Sequence, residues 1–213
     1  MTPSAFQWLW PVFFYLVGTF PAGYLMGRSR GIDIRQHGSG NIGATNAGRV
    51  LGRPWGFAAF ACDFLKGFLP LFLVRRICLP GTDSWSVTLL LVICGVSTIL
   101  GHNYPVWLGF KGGKGIATSA GILGALMPWV MIVALSLWII AVLLTRTISI
   151  GSLLAAVVLA PAAALCYPGQ WIYFGLAVLA GGLAAWRHRS NIQRLLAGTE
   201  SRVTFSSREK EDS

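Results

Sequence analysis

Apolar and polar positions fall into long blocks along this chain. Apolar runs occupy roughly 6–27, 54–78, 85–101, 116–145, 148–166 and 170–186. Polar segments fill 28–53, 102–115 and 187–213. A bilayer crossing takes about 20 apolar residues as a helix, so the blocks predict an all-α, polytopic membrane protein. The first run has no basic residue before it and continues to Gly27, too long for a cleaved leader. It is expected to be a first span, with Trp8 and Trp10 near one interface.

The run 116–145 is the one block whose length does not fit a single crossing. As one helix it would measure about 45 Å against a core of about 30 Å, and Pro128 stands near its middle, where a helix breaks. Basic residues resolve the count. Arg28, Arg30, Arg35, Arg49 and Arg53 lie in the first polar segment, and Lys111 and Lys114 in the second. Arg187, Arg189, Arg194, Arg202, Arg208 and Lys210 lie in the third, whereas the opposite side holds little besides Arg75 and Arg76. The positive-inside rule puts the three basic segments in the cytoplasm and the N-terminus outside. An even number of crossings must then join segments 102–115 and 187–213. Two short helices, 116–127 and 128–145, each part-way across or wedged among neighbours, satisfy that parity and give about seven helices. Residues 1–200 form one predicted transmembrane domain. Residues 201–213 form a polar cytoplasmic tail, too charged and Ser-rich to order itself.

Composition agrees with this picture. Of 213 residues, 54% are hydrophobic and 11% charged, against about 25% charged in soluble domains. The net charge of +10 does not imply a nucleic-acid partner, because the cations sit in short segments between spans, where they set topology and attract anions. Cys62, Cys78, Cys94 and Cys166 form no CxxC pair and are expected to act as small buried hydrophobes.

His37, His102 and His188 each fall in one of the three basic segments, among Gly, Asn, Ser, Thr and Lys. That distribution predicts one shared polar site. The first segment runs His37-Gly-Ser39-Gly40-Asn41-Ile-Gly-Ala-Thr45-Asn46 and on to Arg49. Its glycines can aim successive N–H groups at an anion, its Ser, Asn and Thr add donors, and Arg49 suits phosphate. In the second, Gly101–Gly115, the run Gly112-Gly113-Lys114-Gly115 opens an apolar helix, a phosphate cradle by position. It is not a nucleotide loop, since Leu108 and Gly115 stand where that motif needs Gly and Ser or Thr. In the third, His188, Asn191 and Arg194 share a helix face by their spacing of three. Asp63 and Lys66, three apart in an apolar run, are expected to pair.

Together these segments resemble the bacterial acyl-phosphate:glycerol-3-phosphate acyltransferase family. The resemblance rests on Ser39-Gly-Asn-Ile-Gly-Ala-Thr-Asn46 with Arg49, and on Asp63-x-x-Lys66-Gly67. It rests further on Gly101-His102-Asn-Tyr-Pro105 with Gly112-Gly-Lys-Gly-Ile-Ala-Thr118, and on His188-Arg-Ser-Asn191-Ile-Gln-Arg194 with Gly198-Thr-Glu200. It implies transfer of a fatty acyl group from an acyl phosphate to the 1-hydroxyl of glycerol 3-phosphate. The product is lysophosphatidic acid, made at the bacterial inner membrane at the start of phospholipid synthesis. It also implies a functional link to the soluble enzyme that makes the acyl phosphate, and no cofactor or metal. By that resemblance Ser39, His188 and Asn191 are the catalytic candidates. Gly40, Asn41, Thr45, Asn46, Arg49, His102, Gly112, Gly113 and Lys114 are the substrate-binding candidates, with Asp63, Lys66 and Glu200 behind them. The His-x4-Asp dyad of many other glycerolipid acyltransferases is missing, because no histidine here has Asp five residues later. A transporter of a phosphorylated metabolite is the competing reading. It would use a basic pocket too, but one set at mid-depth.

Overall fold

The structure is a computed structural model describing residues 3–79 and 84–203. Among the described residues it is all-helical, with ten α-helices and no strand. A short 3-10 turn, Ala5–Leu9, leads into α1 (Trp10–Gly18), and α2 (Ala22–Arg28) follows after a break. The polar segment then folds into α3 (Ala44–Leu51), and α4 (Arg53–Leu73) re-enters the apolar layer. Next come α5 (Trp85–Asn103), α6 (Ile116–Leu126), α7 (Pro128–Thr145), α8 (Ile148–Cys166) and α9 (Trp171–Arg187). The short α10 (Arg189–Leu196) ends the bundle. Five of these stretches are long and apolar enough to cross a membrane, while α6 and α9 are shorter apolar helices. Large apolar side chains such as Leu144, Leu165 and Val157 point outward at 72–82% exposure. A soluble protein would not tolerate that surface, but hydrocarbon solvates it.

The first span departs from expectation. The apolar run is continuous in sequence, yet the helix breaks at Thr19–Pro21. Proline has no N–H to donate and disfavours helical backbone at the residue before it, here Phe20. The break leaves the Phe20 carbonyl without a helical partner, and Lys66 of α4 takes it at 2.8 Å.

Run 116–145 divides at Pro128, with Met127 outside both helices. The halves are unequal. Helix α6, at 11 residues, is about 16 Å long and wedged, with Thr118, Ser119, Gly121, Ile122, Leu123 and Leu126 buried. Helix α7 is 18 residues long and reaches across a bilayer by itself, so the expectation of a part-way helix does not hold for it. Small residues explain the wedge. A side chain at Gly121 would strike the Phe64 carbonyl of α4, and one at Gly67 the Thr118 carbonyl of α6. Each helix thus offers a glycine to the other's backbone, the close packing that membrane helices favour.

Of the four cysteines, all free, Cys94 is buried, Cys62 and Cys166 are half-buried, and Cys78 is exposed at the end of the short helical turn Val74–Cys78 that follows α4. Cys78 therefore does not fit the expectation of a buried hydrophobe. The tail is described to Val203, whose N–H donates to the Arg146 carbonyl at 2.7 Å. The expectation of a disordered tail otherwise falls on 204–213, outside the described residues.

Candidate active site

Asn46, fully buried on α3, shapes the first loop. Its Oδ1 accepts the Ser39 N–H at 2.8 Å. Its Nδ2 donates to the carbonyls of Ile34 at 2.8 Å and His37 at 3.1 Å. Gly38 has φ of +59°, and a side chain there would strike Asn46 Oδ1. The Gly40 N–H donates to the His37 carbonyl at 3.1 Å, and the Gly43 N–H to Asn41 Oδ1 at 2.9 Å. These amides therefore serve the loop itself rather than an anion. Ser39 and Gly40 stay exposed, as do Thr45 and Arg49, one turn apart on α3. His37 is exposed as well, and it enters the loop through its carbonyl.

The second loop folds back on the end of α5. The Gly112 N–H donates to the Asn103 carbonyl and the Gly113 N–H to the His102 carbonyl, both at 3.1 Å. Side chains at 112 and 113 would collide with the His102 carbonyl and the His102 ring, so these positions require glycine for close approach. With both N–H groups bound to α5, the two carbonyls are left for Arg187. Its Nη2 donates to the Gly112 carbonyl at 2.8 Å and its Nε to the Gly113 carbonyl at 3.0 Å. The guanidinium also lies 5.2 Å from the Tyr104 ring centroid.

Beneath this loop, buried His102 joins the Asp63–Lys66 pair. Lys66 Nζ lies 2.7 Å from Asp63 Oδ1 and 2.9 Å from His102 Nδ1. The same His102 Nδ1 also lies 3.5 Å from Asp63 Oδ1, so one ring nitrogen faces both partners, while Nε2 faces Gly113.

The third segment closes the site. His188 Nδ1 lies 2.8 Å from the Ala184 carbonyl. A carbonyl only accepts, so Nδ1 carries the proton and Nε2 keeps its lone pair. Buried Asn191 links two charges, its Oδ1 accepting from Lys114 Nζ at 2.5 Å and its Nδ2 donating to Glu200 Oε1 at 2.7 Å. Ser149 Oγ also donates to Oε1 at 2.8 Å, and Arg194 Nε to Oε2 at 2.7 Å. Ser39, Gly40, Asn41, Lys114, Arg187, Arg189, Ser190 and Arg194 line a pocket of about 190 Å³. Four of them are cations and none is a carboxylate. A larger apolar hollow of about 390 Å³ lies at the α1–α2 break, lined by Leu16, Phe20, Tyr24, Leu25 and Trp107 among others, without Lys, Arg, His, Asp or Glu.

Crowding of positive charge tunes these groups. Burial holds the Lys114 ammonium down at about 8, Glu200 opposes that shift, and Arg194, Arg49 and Arg187 add to it. Burial and then the Lys114 charge hold His188 at about 4, so its ring is neutral at pH 7. Burial raises Glu200, but hydrogen bonds from Asn191, Ser149 and Arg194 outweigh it and leave the carboxyl below its usual range.

The profile of the glycerol-3-phosphate acyltransferase family matches residues 8–198. The chain belongs to the glycerol-3-phosphate acyltransferase family. It is similar to the glycerol-3-phosphate acyltransferase of Thermosynechococcus vestitus, 40% identical over 97% of this chain and 99% of the relative. To that of Desulforudis audaxviator it is 44% identical over 90% and 92%. Among solved structures it resembles the crystal structure of PlsY (YgiH), an integral membrane glycerol 3-phosphate acyltransferase, in its glycerol 3-phosphate form. That match has 36% identity and a TM-score of 0.84, and covers 94% of this chain and 96% of the other. The lysophosphatidic acid form of PlsY matches at 35% identity and a TM-score of 0.81 over the same shares. The chain is therefore a multi-pass membrane acyltransferase of phospholipid synthesis.

In this acyltransferase Ser39, Gly40, Asn41 and Lys114 meet on one pocket, with Asn191 and Glu200 bonded behind Lys114. Asn46 and His102 are instead buried in hydrogen bonds within the protein. Arg187, Arg189, Ser190 and Ser149 were not among the sequence candidates. The arginines flank His188, where the sequence presents them only as topology signals. Ser149 lies in an apolar run and offers no signal before folding brings Glu200 to it.

Proposed function

We propose that this acyltransferase moves a fatty acyl group from an acyl phosphate to the 1-hydroxyl of glycerol 3-phosphate, at the cytoplasmic face of a bacterial inner membrane. The observation that carries the reading is the cation-rich pocket formed where three basic segments meet. Two phosphorylated substrates repel one another, and Lys114, Arg49 and the pocket arginines offset that repulsion. Opposite charges about 4 Å apart attract by roughly 4 kcal/mol near a protein surface. Holding the hydroxyl against the acyl carbonyl recovers on the order of 7 kcal/mol of the barrier. The basic segments support a cytoplasmic site through the positive-inside rule.

The acceptor oxygen attacks the acyl carbon, the carbon–oxygen bond to phosphate breaks, and inorganic phosphate leaves. Ser39 is assigned to the developing oxyanion, a contact worth about 3 kcal/mol. Of the two available bases, His188 at about 4 is poorly matched to pH 7. A substrate phosphate, with a second pKa of about 6, is nearer the operating pH and therefore the better acceptor. His188 and Asn191 then hold the Lys114 side of the site. Acyl phosphate is a reactive mixed anhydride, so a soluble enzyme that makes it must supply it.

The test is a donor comparison. Purified protein with glycerol 3-phosphate and palmitoyl phosphate is expected to form lysophosphatidic acid, and palmitoyl-CoA or palmitoyl-acyl carrier protein is not. Equal or faster product formation from a thioester would overturn the donor assignment.

A further inference from the structure

The Gly112–Gly113 loop has the composition of an anion cradle but the opposite polarity. Its two N–H groups are bonded to α5, at 3.1 Å each. Its carbonyl oxygens face the other way, and a bare pair of carbonyls repels phosphate. Arg187 caps both, with donor–acceptor distances of 2.8 and 3.0 Å, and it lines the pocket beside Lys114. A guanidinium carries five N–H donors in a planar fork. One Nε and one Nη2 hydrogen serve the carbonyls, which leaves three.

We propose that Arg187 is an anion-binding residue of this acyltransferase. It covers the loop carbonyls with one edge of its guanidinium and offers the remaining N–H groups to the phosphate of glycerol 3-phosphate. The inference rests on glycerol 3-phosphate being the acceptor. It makes the phosphate-binding surface a set of side-chain cations, with the glycine loop serving as their scaffold. Stacking near the Tyr104 ring at 5.2 Å limits the rotamers of the guanidinium, so the fork is preorganised.

Two substitutions separate charge from scaffold. In R187Q the amide can still donate to a glycine carbonyl, but the charge and the spare fork are lost. The expected result is a KM for glycerol 3-phosphate at least about tenfold higher, the scale of one charge-assisted hydrogen bond, with kcat within about threefold. R187K, which keeps the charge but not the fork, is expected between R187Q and the parent. A KM for R187Q within twofold of the parent would overturn the proposal. If the variants do not fold, modification of the unaltered protein by phenylglyoxal, mapped by peptide mass spectrometry, decides. Glycerol 3-phosphate is expected to slow modification at Arg187 severalfold, and an unchanged rate there overturns the proposal. If the unaltered protein does not turn over glycerol 3-phosphate at all, the acceptor reading fails on its own. The same modification run with inorganic phosphate as protectant then decides Arg187: protection supports anion binding, and none overturns it.

Discussion

Lys66 donates to the Phe20 carbonyl across 2.8 Å, joining α4 to the break in the first span. The same ammonium lies 2.7 Å from Asp63 Oδ1 and 2.9 Å from His102 Nδ1. One buried cation thus ties the broken helix to α4, to α5 and to the floor of the Gly112–Gly113 loop.

K66M should therefore be severe. It removes the lysine from a buried carboxylate, leaving Asp63 only the more distant His102 at 3.5 Å, and it leaves the Phe20 carbonyl without a donor. The expected loss is about 3–5 kcal/mol, read as a lower unfolding transition of the protein in detergent. The double variant D63L/K66M should recover part of the loss, because no buried charge remains. A double variant as unstable as K66M would contradict this account of the junction.

Steric closeness between α4 and α6 gives a second expectation. A methyl group at Gly121 would strike backbone atoms of Phe64 and Phe68, which cannot swing aside as a side-chain tip can. G121A should cost about 1–3 kcal/mol, again read from unfolding in detergent. Gly182 has open space beside it, so G182A should leave the transition nearly unchanged.

Much of this arrangement was legible in the sequence because hydrocarbon imposes simple rules. Span length and Pro128 give the division at 116–145, and the spacing of three puts His188 and Asn191 at the start of α10, although the helix breaks at His188, which caps α10 rather than sharing a continuous helix with Asn191. The break at Pro21 was hidden by an unbroken apolar run, and Lys66, which donates to the freed Phe20 carbonyl, lies 46 positions from Phe20. The glycine loops misled in a more instructive way. Composition tells that backbone freedom or close approach is needed but not which way the amides face. At 112 and 113 the reason is His102 underneath, and the loop carbonyls are capped by Arg187, which the sequence presents only as one cation beside a histidine.

The pH dependence of kcat/KM for glycerol 3-phosphate should have an alkaline limb. Lys114, held at about 8, binds anions while protonated, so affinity falls as pH rises through that value. The Glu200 charge raises the Lys114 pKa, so E200Q should move the limb to lower pH. Removing that carboxylate also leaves the Asn191, Ser149 and Arg194 donors with a poorer acceptor, and activity should fall at least about tenfold at pH 7. A limb that stayed in place in E200Q would show that Lys114 is not the group titrating.

On the acid side the two bases give different profiles. If the substrate phosphate takes the proton, kcat should fall as pH drops through about 6. If His188 takes it, the fall should wait until about 4. H188A should accordingly lower kcat while leaving a limb near 6 in place. An acid limb near 4 in the parent protein that disappears in H188A would return the base to the histidine.

In the proposed reaction the acyl group passes directly between two phosphorylated substrates held together in one cationic pocket. Initial rates of lysophosphatidic acid formation by purified protein, over a grid of acyl phosphate and glycerol 3-phosphate concentrations, test it most directly. Reciprocal plots are expected to intersect, because both substrates must be bound before the acyl group moves. Parallel lines, with a labelled acyl group trapped on Ser39 when the acceptor is withheld, would contradict the account and establish an acyl-enzyme.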